Sequence, residues 1–236
     1  MRFYLPDINR SNIELTGDAH THAAYSLRIR PGDYITVFDG RGKEYSCKVK
    51  DIKKDKTLLE VIDEAENVGE AGINVSLYLS VIKQDRFEMA VQKATELGVN
   101  RIVPVYAAYS QRNITLNYDR LKKIAISACE QCGRSCVPDV EQGIEFDELL
   151  KRAEATYTVF PWERELTGTL KDAIDCDKKD IAVFIGSEGG ITENEKQRLT
   201  DVGAKSVTLG TRILRAETAA IATLSVIYYE MGEWKL

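Results

Sequence analysis

Apolar and polar positions run along this chain in two different rhythms. Up to about residue 72 the rhythm is short. Arg2 to Leu5 is a strand candidate, Asp18 to Leu27 reads as a helix, and Tyr34 to Phe38 alternates as a half-buried strand does. Pro31-Gly32-Asp33 marks a turn. Asp39-Gly40 followed by Gly42 signals a hairpin into the strands Tyr45 to Val49 and Leu58 to Ile62. Short strands joined by tight turns predict a small β-barrel. Glu64 to Gly72, acidic and carrying two glycines, predicts a linker.

From residue 73 the rhythm lengthens. Ile73 to Ile82 is a long strand, and Asp85 with Glu88 predicts a capped helix whose apolar stripe is Phe87, Ala90, Val91, Ala94 and Leu97, ending at Gly98. Strands follow at Arg101 to Val105, Tyr157 to Phe160, Ile181 to Ile185 and Ser206 to Leu209. Helices are expected around Leu121 to Cys132 and Thr218 to Met231, with another capped by Thr192 and Glu195. Strands alternating with helices predict a mostly parallel sheet covered on both faces. The expected architecture is therefore α/β, with a small β-rich domain over residues 1–72 and a larger parallel-sheet domain over residues 73–236.

Composition narrows the class. The 236 residues are 44% hydrophobic and 29% charged, as in an ordinary globular protein. The uncharged stretch Thr218 to Tyr229 is 12 residues, short of the roughly 20 that span a bilayer. Nothing in MRFYLPDINR resembles an export signal, and five cysteines make no disulfide framework, so a reducing cytoplasm is the expected home. The net charge of −5 argues against nonspecific coating of nucleic acid. The charge is uneven, however. Residues 1–56 carry 11 Lys and Arg against 8 Asp and Glu, so the basic excess lies at the N-terminal end.

Two segments could carry chemistry. In Ile181 to Leu199 a buried strand runs into Gly186-Ser187-Glu188-Gly189-Gly190 and then a helix. Glycines at the carboxyl end of a parallel strand admit a ligand close to the backbone, although a tight turn alone would use them equally well. In Ser206 to Tyr229 a strand ends at Gly210. A connection bearing Arg212, Arg215 and Glu217 then leads into a helix apolar nearly all round, which predicts burial. Cys129, Cys132 and Cys136 have a spacing that suits zinc or iron–sulfur, but a fourth ligand is remote in sequence. Buried structural cysteines on a helix ending at Gly133 are expected instead, with no metal. His20 and His22, two apart, cannot share a helix face as ligands.

Taken together, IGSEGGITENE and LGTRILRAETAAIATLSV resemble the SPOUT class of methyltransferases, and within it the ribosomal small-subunit methyltransferase E family. KQDRFEMAVQKATELGV (Lys83 to Val99), SACEQCGR (Ser127 to Arg134) and the stretch Asp18 to Asp33 are similar to other segments of that family. Ser187 and Thr211 stand where the family commonly carries proline. The resemblance implies a PUA-like RNA-binding barrel, then an α/β domain with a trefoil knot enclosing S-adenosylmethionine, in a homodimer. By position it implies cofactor contacts from Trp162, Glu163, Ile185, Gly186, Glu188, Gly189, Leu209, Gly210, Ile213, Leu214, Glu217 and Thr218. The implied reaction is methylation at N3 of a uridine in 16S ribosomal RNA of the small subunit. Arg215 is the expected stabiliser of the developing anion, Arg212 the second candidate, and Arg10, Arg28 and Arg30 the expected RNA contacts. Competing readings are a SPOUT enzyme acting on transfer RNA or another ribosomal nucleotide, and a non-catalytic RNA-binding protein.

Overall fold

A computed structural model describes residues 1–234; Lys235 and Leu236, at the end of the expected second domain, lie outside the described residues. The chain divides into two compact units, Met1–Glu70 with Ile126–Val137, and Ala71–Ala125 with the chain from Pro138 on.

The first unit holds β1 (Arg2–Tyr4), β2 (Ile13–Thr16), α1 (Gly17–Thr21), β3 (Tyr34–Phe38), β4 (Lys43–Ile52) and β5 (Lys56–Glu66). The sheet order is β1-β3-β4-β5-β2, antiparallel except for the parallel pair β1–β3. Register shifts at Ser46/Cys47 and Val49/Asp51 bend β4 against β5 and curl the sheet. Alternate residues of the strands, among them Phe3, Leu15, Ile35, Val37, Cys47 and Val49, fill the inside. Three details depart from the sequence reading. Strand β2 was not expected. The helix is α1 followed by a wider π-type turn, His22–Ser26. Glu64 to Glu66, expected in a linker, continue β5 and pair with Lys43 to Tyr45.

Ile126–Val137 is stapled to this sheet. The Glu70 carboxylate accepts from Arg134 Nη2 at 2.7 Å and from the Cys136 amide at 2.8 Å, while Arg2 Nη2 donates to the Arg134 carbonyl at 3.0 Å. The Arg134 and Glu70 side chains are 3% and 10% exposed, so this is a buried ion pair.

The second unit contains β6 (Asn74–Ser80), α2 (Gln84–Leu97), β7 (Arg101–Tyr106), most of α3 (Tyr118–Cys132), β8 (Asp139–Val140), β9 (Ile144–Glu145) and α4 (Phe146–Ala155). There follow β10 (Tyr157–Pro161), α5 (Leu170–Ala173), β11 (Asp180–Ile185), α6 (Glu193–Asp201), β12 (Lys205–Val207) and α7 (Ala216–Glu230). The strand order is β12-β10-β11-β6-β7-β8, with β9 also beside β7, and every pairing is parallel. Tyr78, Val103, Phe160 and Phe184 pack under Phe146, Leu149 and Leu199 of α4 and α6. The pleat turns Val75, Leu77, Ile181 and Val183 the other way. Helix α7 lies on β11 and packs along α2.

The capping box expected at Thr192 and Glu195 forms. The one expected at Asp85 and Glu88 does not. Helix α2 begins at Gln84 after Lys83, and Glu88 accepts from Arg120 Nε at 2.6 Å and Nη2 at 2.8 Å instead. The stripe of α2 buries Thr95 in place of Leu97. Helix α7 is buried along one face only: Val226 and Tyr229 are exposed.

Candidate functional site

Three connections meet at the carboxyl ends of the strands at one side of this sheet. The first leaves β10 at Pro161, the second leaves β11 at Ile185, and the third returns from edge strand β12 to α7. Parallel strands end together, so their outgoing loops are neighbours and leave a crevice. Here the crevice is a cavity of about 510 Å³, within the usual range for a small-molecule site.

Each loop is fixed by bonds to another. Trp162 donates its amide to the Val207 carbonyl at 3.0 Å and its indole N–H to the Ile191 carbonyl at 3.1 Å. The Thr208 amide donates to the Gly168 carbonyl at 2.7 Å. In the β11 connection the Gly190 amide closes a turn on the Ser187 carbonyl at 2.9 Å, and Ser187 Oγ donates to the Tyr109 carbonyl at 2.8 Å. Glu195 caps α6 through the Thr192 amide at 2.9 Å and accepts the Ala108 amide at 2.7 Å. Glu165 gathers the loop after β10. The Ser206 hydroxyl and the amides of Thr167 and Gly168 hold its carboxyl at about 2, well below the usual carboxylate range.

Most of the expected cofactor residues come together. Trp162, Glu163, Ile185, Gly186, Glu188, Leu209, Gly210, Ile213 and Leu214 all line the cavity, and so does Arg212. Gly189, Arg215, Glu217 and Thr218 do not line it. A Cβ on Gly189 would fall 2.8 Å from Tyr109, so that residue packs on the outer side of its turn. Arg215 precedes α7 as its N-terminal cap residue and is exposed. Thr218 is exposed on α7, and Glu217 is buried with its Oε1 4.0 Å from Arg86 Nε. Helical phase explains the division: Ala216 and Ala219, three apart, both line the cavity, and Glu217 projects from another face. Sequence reading missed Glu165, Leu166, Ile191, Ala216 and Ala219; only the i, i+3 alanines leave a local signal.

Arginine partners separate the candidates further. Outside positions 28, 30, 212 and 215, every arginine lies within 4.0 Å of a carboxylate. Among the described arginines these four alone have no ion pair, and all four are exposed. Arg10, the remaining expected RNA contact, sits 3.2 Å from Glu64. Arg28 holds φ +53°, a conformation rare outside glycine. The cysteine run is packing: Cys129 Sγ lies 3.3 Å from the Cys136 carbonyl, and burial pushes its thiol up to about 12. His20 is buried against Thr57 at 2.9 Å.

Comparison with known proteins agrees with this geometry. Residues 70–228 match the RNA methyltransferase domain family and residues 15–62 the RNA methyltransferase PUA domain. The chain is 31% identical to ribosomal RNA small subunit methyltransferase E of Rickettsia conorii, over 92% of this chain and 89% of that protein. It is also 31% identical to the Bacillus subtilis protein of the same name, over 98% and 97%. Ribosomal RNA small subunit methyltransferase E from Neisseria gonorrhoeae, solved bound to S-adenosyl methionine, superposes with a TM-score of 0.86 at 35% identity, covering 97% of this chain and 96% of that one. The α/β unit with its returning C-terminal segment and the curled N-terminal sheet are thus shared over nearly the full length, and the chain belongs to the ribosomal RNA small subunit methyltransferase E family.

Proposed function

We propose that this protein transfers a methyl group from S-adenosylmethionine to N3 of a uridine in 16S ribosomal RNA of the small subunit. The observation that carries the reading is the three-loop cavity with an unpaired guanidinium, Arg212, in its wall and a second, Arg215, just beyond it.

The residues fit the cofactor. With Glu188 paired to Arg86, Glu163 and Glu165 line the cavity against one arginine, an acidic balance that suits a ligand carrying a sulfonium and an ammonium against one carboxylate. Ile185, Leu209, Leu214, Ala216 and Ala219 offer the apolar surface an adenine needs. Gly210, at φ +94°, turns the third loop where an added Cβ would meet nothing within 4 Å, so backbone is open to a ligand there. When bound, S-adenosylmethionine supplies an electrophilic methyl on sulfur.

The remaining work falls to the chain. Uracil N3 must shed a proton before or during attack, and negative charge then spreads to O2 and O4. A guanidinium brought beside those oxygens stabilises that charge, by roughly 3 kcal/mol or about 10²-fold in rate where it is well placed. Arg215 takes this role, with Arg212 second, because neither is neutralised by a carboxylate. Glu163 and Glu165 bind and orient the cofactor's cationic groups, and the apolar wall excludes water from its ring.

Arg28 and Arg30, unpaired on the curled sheet unit, serve RNA phosphates. Residues 1–72 act as the RNA-binding domain and residues 73–236 as the methyltransferase domain. The exposed apolar face of α7, Val226 and Tyr229 with Trp234 beyond it, supports a homodimer. No helix among the described residues is long and apolar enough to cross a membrane, and a ribosomal substrate places the enzyme in the cytoplasm. The test is nucleoside mass spectrometry of small-subunit RNA after incubation with protein and cofactor. 3-Methyluridine is expected. Arg215→Ala should slow its formation about a hundredfold while leaving calorimetric binding of S-adenosylhomocysteine intact. A different modified base, or methylation by Arg215→Ala at near-normal rate, overturns the reading.

A further inference from the structure

Arg86, in the first turn of α2, lies between two carboxylates that belong to different cavity connections. Its Nη1 donates to Glu188 Oε1 at 3.3 Å, and its Nε is 4.0 Å from Glu217 Oε1. Glu188 belongs to the turn after β11, and Glu217 to the first turn of α7 where the third connection ends. Gln111 Nε2 reaches the other Glu188 oxygen at 3.5 Å. The Glu217 side chain is 8% exposed, Arg86 25% and Glu188 30%. Glu217 Oε2 has no hydrogen-bond partner.

A buried carboxylate with one oxygen unsatisfied is expensive unless a cation faces it. Arg86 is the cation that does so, and its planar fork can serve two acceptors where an ammonium would serve one. Sequence resemblance gives Glu188 and Glu217 to the cofactor. In the structure both carboxylates also face Arg86, with Glu188 at the cavity wall.

We infer that Arg86 is a positioning residue: by holding Glu188 and Glu217 it fixes the turn after β11 against the start of α7, and so sets the width of the cofactor cavity. This rests on the reading of that cavity as the S-adenosylmethionine site. Without Arg86 two carboxylates face each other unbalanced, the turn moves away from α7, and cofactor affinity falls although no direct contact is lost. Glu188 acts through the same link.

The experiment measures S-adenosylhomocysteine binding by calorimetry for the wild type, Arg86→Lys, Arg86→Ala, Glu188→Gln and Arg86→Ala/Glu188→Gln. Ligand-free melting temperatures and hydrogen exchange of residues 186–190 are recorded alongside. Arg86→Ala should lose about tenfold in affinity, Arg86→Lys less, and the double variant no more than Arg86→Ala alone, as coupled neighbours behave. Exchange in 186–190 should quicken in Arg86→Ala. Arg86→Ala binding as the wild type does overturns the inference, and so do losses that simply add in the double variant. If Arg86→Ala does not fold, the Arg86→Lys and Glu188→Gln affinities decide: both unchanged refutes the link, both weakened supports it. A wild type that binds no S-adenosylhomocysteine sinks the cofactor reading itself, and this inference with it.

Discussion

Gly186 offers the sharpest test of how the cavity is built. A Cβ there would lie 2.8 Å from Ile191 Cγ1 and 3.0 Å from both the carbonyl carbon and oxygen of Gly190. Carbon atoms pack at about 3.5–4.0 Å, so the shortfall is at least about 0.7 Å at Ile191 Cγ1 and about 0.5 Å at the Gly190 carbonyl carbon, with the carbonyl oxygen crowded as well. Two of them are backbone and cannot swing aside. Gly190 is tied to the Ser187 carbonyl at 2.9 Å, and Ser187 to the Tyr109 carbonyl at 2.8 Å, so the turn moves as a block or opens. Overpacking of this kind costs about 1–3 kcal/mol. If the bound geometry alone bears the cost, S-adenosylhomocysteine binds roughly 5- to 150-fold more weakly in Gly186→Ala. If the free protein bears it too, melting falls by about 2–4 °C per kcal/mol in a chain of this size. Calorimetric titration and a ligand-free melt on one preparation divide the two. A variant with wild-type affinity and wild-type melting refutes the reasoning, because the strain must appear in one or the other.

Three further outcomes are expected. Glu70→Gln removes one charge of a buried pair and weakens the anchor of the Cys136 amide, so unfolding by urea should show a loss of about 3 kcal/mol, with cofactor affinity little changed. The Glu165 carboxyl, held at about 2 by Ser206, Thr167 and Gly168, is more stably ionised folded than unfolded. Its contribution is present above the unfolded value near 4.5 and is lost as pH falls through 2; the stability gap between wild type and Glu165→Gln should be constant above pH 5 and close below it. Among the cysteines, exposed Cys176 should react with a disulfide reagent in the native state. Cys47 and Cys129, with thiols raised to about 11 and about 12 by burial, should react only on unfolding.

What the sequence made legible was local, and what it hid was distant. The same i, i+3 pattern appears at Thr192/Glu195 and at Asp85/Glu88, yet only the first became a capping box. At the second, Arg120 from α3 claims the Glu88 carboxylate with two charge-assisted bonds that a backbone amide does not match. Strand β2 escaped notice because Ile13-Glu14-Leu15-Thr16, although it alternates apolar and polar, is only 4 residues long, and its partner β5 lies some forty positions on. Glu64 to Glu66 looked like linker by composition; their pairing with Lys43 to Tyr45 depends on how far the curled hairpin extends. Nine of the twelve cofactor candidates that family resemblance implies line the cavity, whereas Gly189, Glu217 and Thr218 stand outside its lining, because resemblance does not carry which way a turn or helix faces. Arg86 left no trace at all, since its partners stand 102 and 131 positions away.

The distances along the chain have a consequence for binding. Pro161, Ile185 and Leu209 reach the same cavity from three strands, and no one of the three loops holds its shape alone. Trp162 depends on Val207 and Ile191, Thr208 on Gly168, and Ser187 on Tyr109. A site assembled from mutually dependent segments exists only when the whole α/β unit is folded, so a ligand that fills it must stabilise the folded state by mass action. The exchange runs both ways: a substitution that loosens the parallel sheet at β10 or β12 withdraws support from all three loops, and weakens the cofactor without touching it. The cavity's outer rim is different in kind. Leu166 and Ile213 are 88% and 85% exposed, apolar side chains that bury nothing in the chain itself. Retaining them at the mouth costs solvation until something apolar covers them, and the flat face of a nucleobase brought to the methyl donor is such a cover.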